Sequence, residues 1–509
     1  MARAGTRSFP AWLAALVAGA VSVFAFAPFG VFPLTLLSLA ALAALLDRAP
    51  RMRAGFALGF AWGFGAFAAG VSWIFVALNR YGGMPVPLAA LAIGLFCAYL
   101  ALYPALAGAL FVRWRAGGVL ARASLFAALW IVAELLRGWV FTGFPWLSVG
   151  YSQTPPSPLA GWLPVVGVYG VGGLLAWIAA LAAFAPWCRL REAAPAAVLV
   201  VTSLAGGAVL GRVGWTEPDG DPLRVALVQT NIAQELKWRP ERVREWLELN
   251  LQLSDVPEAD LVVLPETTLP MLVEHLPAGY VDTLSDRARA YGADLLMGVF
   301  LRDARGRIHN AVASLGASPS QSYAKRHLVP FGEYSPPLFG WFYALADIPM
   351  SDQTPGAADQ PPLVLAGRRV AVNICYEDVF GRELLYALPE AGLMLNVSNL
   401  AWYGDSLAQP QHLQIARVRA LETGRPMLRA TNTGMTAVVR PDGRVEAVLP
   451  PFERGILRAE VRAHAGLTPY ARWGDGAALL LSALGLAAAG HARRRAGFAP
   501  RVAPPPESQ

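Results

Sequence analysis

Long apolar runs separated by short basic segments dominate the first 212 residues of the chain. Pro28, Gly30 and Pro33 interrupt the first run, which therefore predicts a helical hairpin. Most runs reach the roughly 20 residues that a helix needs to cross the hydrocarbon layer, so the pattern predicts seven membrane spans. The runs cover residues 8–46, 54–79, 81–112, 123–136, 164–187 and 193–211.

After residue 212 the pattern changes to charged, alternating sequence with short apolar strands, as at residues 223–228, 261–264 and 370–374. Such a pattern indicates a globular α/β domain over residues 213–470.

A last apolar run precedes Arg493, Arg494 and Arg495 and predicts a final span within residues 471–495. The proline-rich tail, residues 496–509, is predicted to be disordered. The chain is therefore expected to hold a seven-helix transmembrane bundle over residues 1–212, the α/β domain and one further span, which makes about eight spans in total.

Composition supports this organisation. Apolar residues make up 55% of the chain and charged residues 15%, with a mean hydropathy of +0.42, values typical of a membrane protein. The net charge of +7 comes from arginines at the ends of apolar runs, not from one basic face, so no nucleic-acid partner is expected. The sequence has no zinc-type Cys/His spacing, GxGxxG loop or Walker loop, so neither a metal nor another cofactor is expected.

Arginine clusters at every second junction predict the topology. The positive-inside rule places these junctions in the cytoplasm, so an odd number of spans leaves the α/β domain outside, with both termini inside. Ala25 and Ala27 also fit a signal-peptidase site, but apolar sequence resumes at once, which favours an uncleaved anchor. The junction arginines are Arg3, Arg7, Arg48, Arg51, Arg53, Arg113, Arg115, Arg122, Arg189 and Arg191.

Cys375 is the candidate nucleophile among three cysteines, because Cys97 and Cys188 lie within or at the end of predicted spans. It ends an apolar strand and is followed at once by Tyr376 and Glu377. Such a turn exposes a side chain and offers main-chain N–H groups to an oxyanion. The alternative is an inert, buried, small apolar residue.

Glu266 and Lys325 are the candidate base and cation. Glu266 follows the apolar strand at 261–264, and two strands of one sheet deliver their ends to a common edge. Taken alone, Glu266 could equally cap a helix and Lys325 could be an ordinary solvated lysine.

The segments "LPETT", "YAKRHLVPFGEY" and "NICYEDVF", in this order, resemble the Glu-Lys-Cys triad motifs of the carbon-nitrogen hydrolase (nitrilase) superfamily. With spans before and after, the whole chain resembles its membrane-bound branch, the bacterial apolipoprotein N-acyltransferases. Further segments, "SNLAWYG", "RALETGRP", "TNTGMTAVV" and "GLTPYAR", extend the resemblance. Leu400 in "SNLAWYG" departs from it, because related sequences often have Asp there.

The resemblance implies an α-β-β-α sandwich for the α/β domain and a role for each matching residue. Glu266 would be the general base, Lys325 the oxyanion-stabilising cation and Cys375 the acylated nucleophile. The supporting and substrate-binding residues would be Trp238, Glu333, Tyr376 and Glu377.

The resemblance also implies the substrates and the compartment. A phospholipid would donate the acyl chain, and the α-amine of a diacylglyceryl-cysteine at the start of an apolipoprotein would accept it. The enzyme would be a monomer of the bacterial inner membrane with a periplasmic catalytic domain.

Residues 336–350 are strongly apolar and suit a lid that dips into the lipid interface, with Phe339, Trp341 and Phe342 as candidate lid residues. The alternative is an ordinary core helix. Glu134 and Arg137, in or near the fifth predicted span, either line a headgroup groove or lie at the outer interface without a special role.

Two other functions compete with acyl transfer. A membrane-tethered amidase or nitrilase acting on a small C–N substrate would keep the triad but would need neither eight spans nor a lid. A non-catalytic scaffold would not need to retain all three triad residues.

Overall fold

The computed structural model describes residues 10–335 and 352–497, and a bundle of apolar helices forms its first half. The bundle helices are α1 (Ala11–Val21), α2 (Pro33–Arg48), α3 (Met52–Gly70), α4 (Val86–Trp114), α5 (Val119–Arg137), α6 (Leu163–Phe184) and α7 (Leu190–Leu210).

Five of the described helices are long and apolar enough to cross a membrane. They are α4 to α7 and the last helix, α11 (Gly476–Gly497). A sixth span results if α3 and the segment Ile74–Tyr81, which bends away by 60°, count together. Five or six of the described helices could therefore span a membrane, in agreement with a multi-pass helical bundle. Helices α1 and α2, with 11 and 16 residues, are shorter, and the count of eight stays a prediction.

Glycines at spacing four bring α3 close to α4. Gly55, Gly59 and Gly63 lie on one face of α3, and a Cβ at Gly59 would lie only 2.2 Å from the carbonyl oxygen of Pro104. Small residues let helix backbones approach closely where water drives no apolar association. The glycine-rich sequence of this run is thus explained by packing.

The α/β domain contains two six-stranded sheets with orders β12-β1-β2-β3-β4-β5 and β11-β10-β9-β8-β7-β6. Strands β1, β2 and β3 run parallel, as do β7, β8 and β9, and the remaining pairs are antiparallel. The strands are β1 (Glu217–Gln229), β2 (Leu261–Val263), β3 (Asp294–Arg302), β4 (Ile308–Gly316), β5 (Ser322–Ala324), β6 (Leu363–Leu365), β7 (Arg368–Ile374), β8 (Leu393–Ser398), β9 (Met427–Thr431), β10 (Ala437–Val439), β11 (Val445–Val448) and β12 (Gly455–Ala465).

Alternating residues of the strands build three apolar layers. Val225 and Leu227 of one sheet meet Val372 and Leu395 of the other in the central layer. The opposite faces pack against helices α8 (Val243–Leu253) and α9 (Tyr280–Ala290) on one side and α10 (Ala408–Thr423) on the other. The predicted α-β-β-α sandwich is the architecture that results.

Helix α10 lies between the α/β domain and the helical bundle, and it is buried along nearly its whole length because it contacts both. The side-chain oxygen of Gln411 accepts hydrogen bonds from the indole N–H groups of Trp73 (3.2 Å) and Trp146 (2.8 Å). Further along α10, the carboxylate of Glu422 accepts a hydrogen bond from Val168 N at 2.7 Å. Polar side chains can be buried here because the bundle supplies their partners.

Candidate active site

Three strand ends of the two sheets converge on one polar cluster. Glu266 follows β2 and Lys325 follows β5 of the first sheet, whereas Cys375 directly follows β7 of the second. The expectation that one sheet delivers both Glu266 and Cys375 is therefore wrong, because they end strands of the two sheets that face each other in the sandwich. The main-chain N–H of Asn399, just after β8, donates to Glu266 Oε2 at 2.7 Å and so joins the second sheet to the first.

Cys375 is partly buried and adopts a left-handed backbone conformation, with φ +53°. A residue with a Cβ is held in this region at a cost of about 1–3 kcal/mol, and such strain clusters at functional sites. Burial, and then the negative charge of Glu266, raises the pKa of the thiol above its ordinary value, while Lys325 offsets only part of the rise. The resting group is therefore a thiol.

Lys325 lies between two carboxylates and is only 1% exposed. Its ammonium nitrogen is 2.7 Å from Glu333 Oε1 and 3.3 Å from Glu266 Oε1. Burial alone would lower the pKa of Lys325, but the charges of Glu333 and Glu266 raise it well above its usual value. A fixed cation therefore faces the site at all physiological pH values.

Glu333, like Glu266, is fixed by hydrogen bonds to both of its carboxylate oxygens. Its Oε2 accepts from Val329 N at 2.8 Å. The amide nitrogen of Asn310 bridges Glu333 Oε1 at 3.0 Å and Glu266 Oε1 at 2.9 Å. Glu266 and Glu333 thus keep fixed orientations and share the donors that make their proximity tolerable.

Glu377 is turned into the protein, not toward the thiol. Its carboxylate accepts hydrogen bonds from the main-chain N–H groups of Ile374 (2.6 Å), Arg326 (2.6 Å) and His327 (3.2 Å), and from the Tyr323 hydroxyl. It therefore ties the nucleophile loop to the loop that carries Lys325.

Tyr376 faces the membrane bundle. Its hydroxyl donates to Gly143 O at 3.1 Å, and its ring lies 6.3 Å from that of Phe144. The loop with Phe144 is in turn held by Arg137, whose guanidinium donates to Phe144 O and Trp146 O. Arg137 is thus a buried anchor of the loop under the nucleophile.

Trp238 and Leu400 are also among the residues that the structure describes. Trp238 is partly buried, with its ring 6.0 Å from that of Phe300. Leu400 is buried and opens a short helix, Leu400–Tyr403. The lid candidates Phe339, Trp341 and Phe342 lie outside the described residues, as does most of the tail.

Sequence reasoning missed Asn310 and Asn399. A polar residue inside the apolar strand β4 is an available signal for Asn310, whereas Asn399 acts through its main chain and leaves no mark in the sequence. Within residues 10–335 and 352–497, no group of three or more His, Cys, Asp and Glu side chains is arranged to hold a metal ion.

Known proteins resemble the chain over nearly its whole length. A family model described as the apolipoprotein N-acyltransferase N-terminal domain matches residues 18–181, and one described as carbon-nitrogen hydrolase matches residues 224–470.

Two relatives show the extent of the likeness. An apolipoprotein N-acyltransferase of Nitrosomonas europaea is 45% identical over 483 residues, covering 93% of this chain and 95% of its own. One of Chromobacterium violaceum is 46% identical over 483 residues, covering 93% of both chains. Among solved structures, an amidase of the nitrilase superfamily from Nesterenkonia AN1 is 22% identical, with a TM-score of 0.37, and covers 50% of this chain and 95% of its own.

Proposed function

The chain belongs to the apolipoprotein N-acyltransferase family, and from this membership we propose how its residues perform the reaction. It is an N-acyltransferase of the bacterial inner membrane that acylates lipoproteins. The family resemblance found in the motifs is thereby confirmed. The roles of individual residues, the thioester route and the topology are the proposal.

Cys375 is the nucleophile, and the first half-reaction acylates it. Glu266 takes the thiol proton as sulfur attacks the ester carbonyl carbon of a phospholipid, and Lys325 stabilises the resulting oxyanion. The ester C–O bond then breaks, the lysophospholipid leaves with the proton from Glu266, and a thioester remains. Because the pKa of the thiol is raised, removal of the proton during attack is favoured over a preformed thiolate.

The second half-reaction consumes the thioester. The neutral α-amine of a diacylglyceryl-cysteine attacks the thioester carbonyl, the C–S bond breaks, and Glu266 carries the amine proton to the sulfur. An amide bond forms and the thiol is restored. The buried Glu266–Lys325–Glu333 cluster at the strand ends beside Cys375 is the observation that carries this proposal.

The thioester must meet an amine before it meets water. We assign this protection to residues 336–350 as a lid at the lipid interface, with Phe339, Trp341 and Phe342 entering the bilayer. Phe339→Glu with Trp341→Glu should abolish use of phospholipid vesicles, and Tyr291→Glu, at an exposed position of the outer helical layer, should not. Intact lipid use by the Phe339/Trp341 variant would remove the lid.

For topology we propose eight spans, with residues 1–212 and 471–495 in the membrane, residues 213–470 in the periplasm and both termini in the cytoplasm. Seven described helices before the α/β domain and one after it support this count. The enzyme acts as a monomer on a phospholipid and a diacylglyceryl apolipoprotein.

A transfer assay tests the function. Enzyme in mixed micelles receives phospholipid and a diacylglyceryl-cysteine peptide, and the products are weighed. The expected result is one acyl mass on the peptide amine with an equal amount of lysophospholipid. Release of ammonia from a small amide, with no lipid-dependent transfer, would instead establish the amidase function.

A further inference from the structure

The chain contains only two lysines, Lys237 and Lys325, among 42 basic residues. Both are 1% exposed, and both contact Glu266. The other 40 of these 42 residues are arginine, whose side chain never loses its proton in proteins and needs more space. Lysine at these two buried positions therefore departs from the arginine usage of the rest of the chain.

Lys237 ends the short helix Gln234–Lys237, next to Trp238. Its ammonium nitrogen donates to Thr267 Oγ1 at 2.7 Å and to the carbonyl oxygen of Glu266 at 3.3 Å. In the described part of the chain no carboxylate oxygen lies within 4 Å of it, whereas Lys325 has two such partners. Burying an ammonium without an ion pair is costly, and the bonds to Thr267 and Glu266 are the contacts that offset this cost.

The Glu266–Thr267 turn, to which Lys237 donates its hydrogen bonds, has a strained backbone and packs closely against β3. Thr267 has φ +46°, a left-handed conformation that is unfavourable for a β-branched residue. From the other side β3 presses on the same turn, since a Cβ at Gly298 would lie 2.8 Å from Glu266 Cα. The Glu266–Thr267 turn is therefore held by β3 on one side and by the hydrogen bonds of Lys237 on the other.

We propose that Lys237 is a positioning residue for acyl transfer, which holds the Glu266–Thr267 turn so that the Glu266 carboxylate meets Lys325, Asn310, Asn399 and the Cys375 thiol in reactive geometry. This inference rests on the proposed role of Glu266 as the base. It adds a second lysine that supports the triad through the main chain of Glu266.

Electrostatics agrees with this placement. Burial lowers the pKa of Lys237 to about 7, and the charge of Glu266 acts in the opposite direction. Lysine keeps hydrogen-bond donors whether or not it is protonated, so it can hold Thr267 in both states. Arginine would place a permanent charge and a larger group at a position that is 1% exposed.

The test measures the reactivity of the Cys375 thiol without lipid. The full-length enzyme in micelles is treated with iodoacetamide, and alkylation of Cys375 is followed together with its acylation by phospholipid. Lys237→Met should slow both rates by about 10- to 100-fold, with little change in the phospholipid KM, because a misplaced base slows proton removal and not lipid binding. Arg239→Met, which removes an exposed cation two residues away, should leave both rates unchanged.

Thr267→Val provides the second arm. Valine keeps the β-branched shape but removes the hydroxyl that Lys237 holds, so the rates should fall, and Lys237→Met/Thr267→Val should lose no more than Lys237→Met alone. Wild-type rates for Lys237→Met, or multiplicative losses in the double variant, would overturn the proposal. If Lys237→Met does not fold, normal rates for Thr267→Val overturn it.

Glu266→Gln, run in parallel, separates this inference from the proposed function. Slow alkylation in Glu266→Gln but not in Lys237→Met refutes the role of Lys237 alone. Normal alkylation in Glu266→Gln refutes the base on which both depend.

Discussion

The carboxylate of Glu377 accepts a hydrogen bond from the main-chain N–H of Arg326 at 2.6 Å, across 51 residues of sequence. Through this bond the loop that carries the nucleophile and the loop that carries Lys325 become one unit. Glu377, two residues after Cys375, therefore acts on the site through the backbone.

Glu377→Gln should damage both stability and catalysis. Its new amide group would face N–H donors, and buried groups left without partners cost about 1–3 kcal/mol each. We expect the free energy of unfolding to fall by about 2–4 kcal/mol and acylation of Cys375 to slow by about 100-fold. Thermal unfolding and acylation rates measure the two effects. Glu390→Gln, at an exposed ion pair, is the control, and equal behaviour of the two variants would contradict this role.

Glu333→Gln should change the pH dependence of acylation. Glu333 is the charge that most raises the pKa of Lys325 against the effect of burial. Without it the pKa of Lys325 falls, so the oxyanion-stabilising cation is lost at lower pH and the alkaline limb of the pH–rate profile moves to lower pH. Because the wild-type pKa of Lys325 lies well above 10.5, acylation by the wild type should not fall between about pH 6 and 10, whereas acylation by Glu333→Gln should fall toward pH 10. An unmoved alkaline limb would show that Lys325 does not depend on Glu333.

Lys237 should make stability rise with pH. Its pKa of about 7 in the folded protein lies below the ordinary value of 10.5, so between these pH values the unfolded chain binds a proton that the folded chain does not. The stability cost of burying Lys237 is therefore full below pH 7 and relieved toward pH 10.5. Lys237→Met removes this cost, so its thermal midpoint should lie above that of the wild type. The difference should be largest at low pH and shrink as the pH rises. A constant difference across pH would refute a lowered pKa.

The strand-end positions of Glu266 and Cys375 could be predicted from sequence, because an apolar run that stops at a polar residue marks the end of a strand, whereas Lys325 was identified only by motif resemblance. The sandwich itself came from motif resemblance, since strand patterns alone indicate only α/β. Asn399 could not be predicted, because its contribution is a main-chain N–H. Glu377 was expected beside the thiol, and only the tertiary structure shows its carboxylate turned toward N–H donors.

The predicted span count illustrates another limit of sequence. Apolar runs locate helices, but the bend after Gly70 and the short helix α1 depend on tertiary packing. The burial of Gln411 between Trp73 and Trp146 likewise has no sequence signal, because an amide in a helix is ordinarily solvated.

Gln411→Leu should loosen the domain from the bundle. Leucine has a similar volume but leaves the indole N–H of Trp146 without its acceptor, whereas the N–H of Trp73 still donates to Gly70 O at 3.0 Å. One buried donor without a partner should cost about 1–3 kcal/mol. Thermal unfolding in micelles measures this loss. Unchanged unfolding would show that the amide contributes nothing to domain attachment.

Mass spectrometry of the enzyme after incubation with phospholipid tests the central claim most directly. The wild type and Cys188→Ala, which removes an exposed cysteine far from the triad, should both carry a hydroxylamine-labile acyl mass on the peptide with Cys375, and Cys375→Ala should carry none. A folded wild-type enzyme without this adduct, or an adduct that survives in Cys375→Ala, would contradict the thioester mechanism.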